Sequence, residues 1–145
     1  MGLLSRITGK VAPAKKATDD VLLLHGMLLM CGADGVMEGS EISTLEAFFN
    51  TLPEFQGKDF DELLTQANKI VARYGDLKAS IKGLSEIESP AVRIKCFILA
   101  ADIAMSSGDV DEAEDKMLES MQRLLNIDDA LAGKVLEVLS MKYAQ

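Results

Sequence analysis

Two acidic turns hold the residues best suited to chemistry in this 145-residue chain. One is ADGVMEGSE at residues 33–41, the other SSGDVDEAE at 106–114, and each follows a long apolar segment. Aligning Gly35 with Gly108 also aligns Met37 with Val110, Glu38 with Asp111 and Glu41 with Glu114, at one constant offset of 73 residues. The first turn offers Asp34, Glu38 and Glu41; the second offers Asp109, Asp111, Glu112, Glu114 and Asp115. Clustered carboxylates repel one another unless something neutralises them. Hard divalent cations do so with sets of oxygen ligands, about six for magnesium and six to eight for calcium, waters included. Calcium, magnesium or manganese therefore suits this chemistry. Zinc does not, because there are only two cysteines and one histidine and no CxxC or Cys/His spacing. An EF-hand is excluded as well: with Gly35 or Gly108 at the loop's sixth position, the first would be Met30 or Ile103 rather than Asp.

The same residues have a second reading that needs no ligand. Asp111 with Glu114 three positions on is a capping box, which satisfies free amides at the start of a helix. Asp34-Gly35 reads as a tight turn ahead of a helix that begins with Glu38 and Glu41. The two turns thus carry more carboxylate than two caps require, and both explanations stand at this level.

The remaining polar groups give weaker signals. His25 and Asp102 interrupt the two apolar runs, and a buried His/Asp pair would perturb proton affinities. No serine, cysteine or second histidine completes a catalytic set around them, so a core histidine and a helix-edge carboxylate are the simpler expectation, and the chain is read as a non-enzyme. Cys31 and Cys96 sit inside apolar helical stretches as small buried hydrophobes. The methionines follow helix faces and read as core filler.

These groups must be positioned by helices. Hydrophobic residues make up 48% of the chain, aromatics only 5%, and Trp is absent, with Leu, Ala, Met, Glu and Lys abundant; this mix favours helix over sheet. A first helix is expected at about 18–32, ending at Gly32, and a second at about 39–51, where Ile42, Leu45, Phe48, Phe49 and Leu52 keep helical spacing until Pro53. Asp59, with Glu62 three residues on, opens a third that Gly75 closes. A weaker fourth helix at about 76–87 contains Gly83. Ser89-Pro90 is a strong start for a fifth, carrying AVRIKCFILAADIAM. Two more follow, from Asp111 to about Leu125 and from about Asp128 to Ala144. The fold class is all-α: one helical bundle of about six or seven helices, with an internal pseudo-twofold relating residues 17–75 to 88–145 and the two apolar helices at the centre.

Charge bounds the partners. A net charge of −8 argues against a nucleic-acid binder, since such proteins cluster Lys and Arg against phosphate. The first 16 residues differ from the acidic body at 17–145: they hold Arg6, Lys10, Lys15 and Lys16 and no acid. This arm reads either as a simple tail or as a short amphipathic segment drawn to anionic lipid. Its sixth residue is Arg6, which breaks the myristoylation pattern. The apolar run at 21–33 is too short to span a bilayer, and Asp19 and Asp20 precede it, so no secretory signal is read and a cytoplasmic location is expected.

With CGADGVMEGSE at 31–41 and AMSSGDVDEAE at 104–114 set in this helix order, the chain resembles the TerB family of tellurite-resistance proteins and their TerB-like relatives. Members are small, acidic, all-helical proteins with a duplicated helix, acidic Asp-Gly turn and helix, similar to a module of membrane-anchored J-domain co-chaperones. The resemblance implies divalent-cation binding, carried here by Asp34, Glu38, Glu41, Asp111 and Glu114. It also implies work in a cytoplasmic or membrane-surface stress-response complex with other proteins, TerD-type calcium-binding proteins among them. One departure stands out: Ser107 replaces the aspartate of the second Asp-Gly.

Overall fold

The computed structural model describes residues 17–33, 39–106 and 108–145. Six α-helices and two 3₁₀ segments occur among them, with no strand. The helices are α1 (Asp19–Cys31), α2 (Gly39–Phe49), α3 (Phe60–Tyr74), α4 (Pro90–Ser106), α5 (Glu112–Leu124) and α6 (Asp129–Lys142); the 3₁₀ segments are η1 (Pro53–Phe55) and η2 (Ala79–Glu86). The basic arm at 1–16, Asp34, Glu38 and Ser107 lie outside the described residues.

Helix α1 is apolar around its whole circumference, and every residue from Val21 to Cys31 is buried. Such a helix must be covered on all sides, and α1 touches α2, α3, α4, α5 and η2. Its chief partner is α4, the second apolar helix, which buries Cys96, Phe97 and Leu99–Ala104. The two approach closely because position 26 is glycine: a Cβ there would lie 2.4 Å from Cys96 Sγ. Helices α3 and α5 are strongly amphipathic and bury one stripe each, Phe60, Leu63, Ala67 and Ile70 on the first and Met117, Leu118 and Met121 on the second.

The helix starts follow their caps. Asp59 accepts the Glu62 amide (3.2 Å), Ser89 Oγ that of Val92 (3.3 Å), and Asp128 that of Leu131 (2.7 Å). Asp19, in the first turn of α1, reaches across the molecule and accepts the amides of Glu88 and Ser89, each at 3.0 Å. Arg93 completes this junction by donating to the carbonyls of Ser85, Ile87 and Leu124. Gly75 ends α3 at φ +94°, a left-handed conformation that disfavours other residues.

One expected element has a different form. The weak fourth helix is not α-helical: residues Ala79–Glu86 form the 3₁₀ segment η2. Ser80 Oγ bonds the Leu77 carbonyl and Ser85 Oγ that of Lys82, and Gly83 weakens α-helical propensity in this short segment. Pro53 also does more than stop α2. It opens η1, which delivers Phe55 onto Phe49 in a stack with centroids 4.2 Å apart, while Phe60 meets Phe49 edge-on at 5.2 Å.

Candidate functional site

Glu41 and Glu114 come from the two separate acidic turns, yet they line one cleft of about 260 Å³. Its walls are Met30 and Cys31 from the end of α1, Ser40, Glu41 and Thr44 from the first turns of α2, Ile103 and Ser106 from the end of α4, and Glu114 from α5. Two apolar helices that pack along each other and end side by side bring their following helices together. Both glutamates are half-buried.

Asp111 is placed differently. It is exposed and is not part of the cleft wall; its carboxylate accepts the Glu114 amide at 2.8 Å, and Glu114 Oε1 accepts the Asp111 amide at 3.1 Å. The capping box is therefore complete. Glu114 serves two settings at once, one oxygen closing the cap while the side chain borders the cleft. Asp34 and Glu38 are outside the described residues, and among the described residues no group of three or more His, Cys, Asp or Glu side chains is close enough to hold a metal ion.

Sequence reasoning missed Cys31 as a wall of this cleft. The residue is 4% exposed and its Sγ lies 3.9 Å from the Glu41 carbonyl oxygen. Burial, followed by the charges of Glu41 and Glu114, pushes its pKa up to about 12. It stays a protonated thiol at neutral pH, which leaves the cleft an oxygen-donor site. The available signal was its position: Cys31 immediately precedes the first acidic turn.

His25 and Asp102 do not pair. His25 is fully buried, with Nε2 2.9 Å from the Ser80 carbonyl oxygen, so Nε2 carries the proton and donates. Its Nδ1 has no hydrogen-bond partner among the described residues. Asp102 is buried rather than at a helix edge: Lys142 Nζ approaches its two oxygens at 3.1 and 2.9 Å, and the Tyr143 hydroxyl donates to it as well. Lys142 also lies over the rings of Phe48, at 6.0 Å, and Tyr143, at 5.0 Å. This knot fastens the end of α6 to α4 and α2. Both cysteines are free and buried.

An all-α domain with one apolar helix pair at its centre and an acidic helix start following each member defines the class: a small helical module with a cleft where the two starts meet. The chain belongs to the TerB family, for the family model of tellurite resistance protein TerB matches residues 21–135, which takes in both acidic turns and nearly every helix. No curated protein and no solved structure gives a match. No helix among the described residues is long and apolar enough to cross a membrane.

Proposed function

We propose that this chain is a non-enzymatic, acidic TerB-type module that binds a divalent cation, calcium, magnesium or manganese, between its two acidic turns. It acts in a cytoplasmic or membrane-surface complex of the tellurite-resistance type. The observation that carries the reading is the shared cleft: Glu41 and Glu114, 73 residues apart in sequence, border the same space. The donors fit a hard cation, since carboxylates and the neighbouring hydroxyls of Ser40, Thr44 and Ser106 are all oxygen ligands and the Cys31 thiol remains protonated. Two glutamates do not make a full ligand set. Asp34 and Glu38, in the segment that leads into α2, are the residues that would add carboxylates, with water for the rest. Asp111 contributes by holding Glu114 through the capping box.

Such a module is regulated by its ion and recognised by other proteins, with TerD-type calcium-binding proteins the partners favoured by family membership and the basic arm a contact for anionic membrane. The test is thermal unfolding of the full chain in EDTA, then with millimolar calcium, magnesium or manganese. A ligand at 100 times its dissociation constant adds about 2.7 kcal/mol, and the combined Glu41→Gln and Glu114→Gln substitutions are expected to abolish the shift while preserving helical content. An unchanged midpoint with every metal sinks the cation reading.

The second reading, a protein-interaction scaffold whose acidic turns only cap helices, is favoured by one observation: the capping box accounts for Asp111 and Glu114 without any ligand. It predicts no metal-dependent shift, and it predicts that partner capture is indifferent to EDTA.

A further inference from the structure

The imidazole of His25 is fully buried and meets η2 through backbone positions of that segment. Its Nε2–H donates to the Ser80 carbonyl, the first of two buried contacts with η2. The second is at Gly83, where a Cβ would be in van der Waals range of Nε2 at 3.9 Å and tight against Ile70 Cγ2 at 3.2 Å, so η2 lies close over both the ring and α3. The Nδ1 lone pair faces no donor among the described residues. A proton added at Nδ1 would create a buried cation and a second N–H with no acceptor among the described residues, an expensive state in an apolar interior.

We infer that His25 and η2 form an acid-operated latch, in which neutral His25 holds η2 docked over α1 and protonation at Nδ1 releases η2 as a local unit. The segment that moves is η2 because it covers the ring with 3₁₀ structure, whose hydrogen-bond geometry is poorer than that of the α-helices on the other sides.

The surrounding charges leave this argument intact. Burial is the largest influence on His25 and lowers its pKa below the usual value; the Ser80 carbonyl acts in the opposite direction, Arg73 of α3 lowers it and Glu86 of η2 raises it. Arg73 and Glu86 lie 3.8 Å apart and offset one another, and Glu86 also accepts from the Tyr74 hydroxyl at 3.4 Å. From α4, Cys96 packs against Gly26 as a neutral thiol. From α5, Lys116 pairs with Glu112 and borders a separate cleft with Lys78 at the outer side of η2. The sign follows: above about pH 6.5 the imidazole is neutral whether η2 is docked or open, whereas below it the open form takes up a proton that the docked form refuses. Opening is then favoured by up to about tenfold per pH unit, until the depressed pKa of the docked form is reached.

Release has a consequence at the acidic turns, because Ile81 of η2 and Met117 of α5 share that outer cleft and α5 carries Glu114, with Asp111 as its N-cap. This last link rests on the cation reading above. The latch itself does not, and it is tested without added metal. Amide hydrogen exchange of residues 80–84 is followed by NMR in the full chain between about pH 7 and about pH 5, corrected for intrinsic exchange, alongside the ring-proton titration of its single histidine. The expected result is a fall in protection of these amides of up to about tenfold per unit below about pH 6.5, with a ring titration depressed from the ordinary value. His25→Gln, whose amide can still donate to Ser80 but cannot be charged, is expected to hold protection flat. Constant protection in the wild type, an equal loss in His25→Gln, or a ring that titrates at the ordinary value would each overturn the latch; the wild-type measurements decide it even if the variant does not fold.

Discussion

Replacing Gly26 by alanine tests the close approach of α1 and α4 on which the geometry of the cleft depends. In the middle of a helix the exchange normally stabilises by about 1 kcal/mol, because glycine loses more backbone entropy on folding than alanine does. Here the new Cβ would sit 2.4 Å from Cys96 Sγ and 3.4 Å from Leu84 Cδ2. Ordinary contact is about 3.5–4.0 Å, so one helix must retreat by about 1 Å. Cys96 is completely buried near the centre of α4, so its sulfur cannot swing out to solvent. Overpacking costs about 1–3 kcal/mol; an approach this short onto a fully buried sulfur belongs to the upper part of that range, about 2–3 kcal/mol, and after the propensity gain the net loss is about 1–2 kcal/mol. At an unfolding entropy of about 2.1 cal/mol/K per residue, 1 kcal/mol corresponds to about 3 °C in a chain of this length. Urea and thermal unfolding followed by far-UV circular dichroism measure it. Cys96→Ala alone leaves a small void and costs about 1 kcal/mol, but the double variant places the new methyl where the sulfur had been. Its stability is expected to match or exceed that of Cys96→Ala, a coupling of about 2 kcal/mol. If Gly26→Ala equals or exceeds the wild type, or if the two changes simply add, then the helices do not meet as described.

Two further outcomes follow from groups away from the cleft. Asp102→Asn is expected to lower stability by about 1–2 kcal/mol, because a buried carboxylate loses its charge-assisted bonds to Lys142 and Tyr143, and to raise amide exchange over residues 139–143; unchanged exchange there would contradict the knot. Cys31 and Cys96 are both buried, with pKa values of about 12, so at pH 8 a fraction of only about 10⁻⁴ is thiolate. Iodoacetamide should label them rapidly only in denaturant, and equal rates in native and denatured chains would refute that description.

The helices were legible because their start and stop signals are local. Asp59, Ser89-Pro90, Asp111 and Asp128 bond amides within three residues of themselves, so their meaning is contained in a few letters. The α-form expected for residues 76–87 failed for the converse reason. Apolar residues at Leu77, Ile81 and Leu84 suit either helix type, and Gly83 among them carries little preference for the α-form. Asp102 was misplaced at a helix edge because Lys142 and Tyr143, the groups that make its burial tolerable, lie 40 and 41 residues away in sequence. The aligned glutamates could be named from the repeat. Their common cleft, and Cys31 beneath them, depend on how α1 and α4 end beside each other, which no local pattern encodes.

The bonds from Asp19 to the amides of Glu88 and Ser89, and from Arg93 to the Leu124 carbonyl, bear on how distant stretches of the chain depend on one another. The amides ahead of α4 are satisfied by a side chain on α1, so the start of one apolar helix completes a backbone deficit at the start of the other. A substitution at Asp19 is therefore felt 70 residues away. The two apolar helices are not independent units that happen to pack: the entry of α4 is built with a group that α1 supplies.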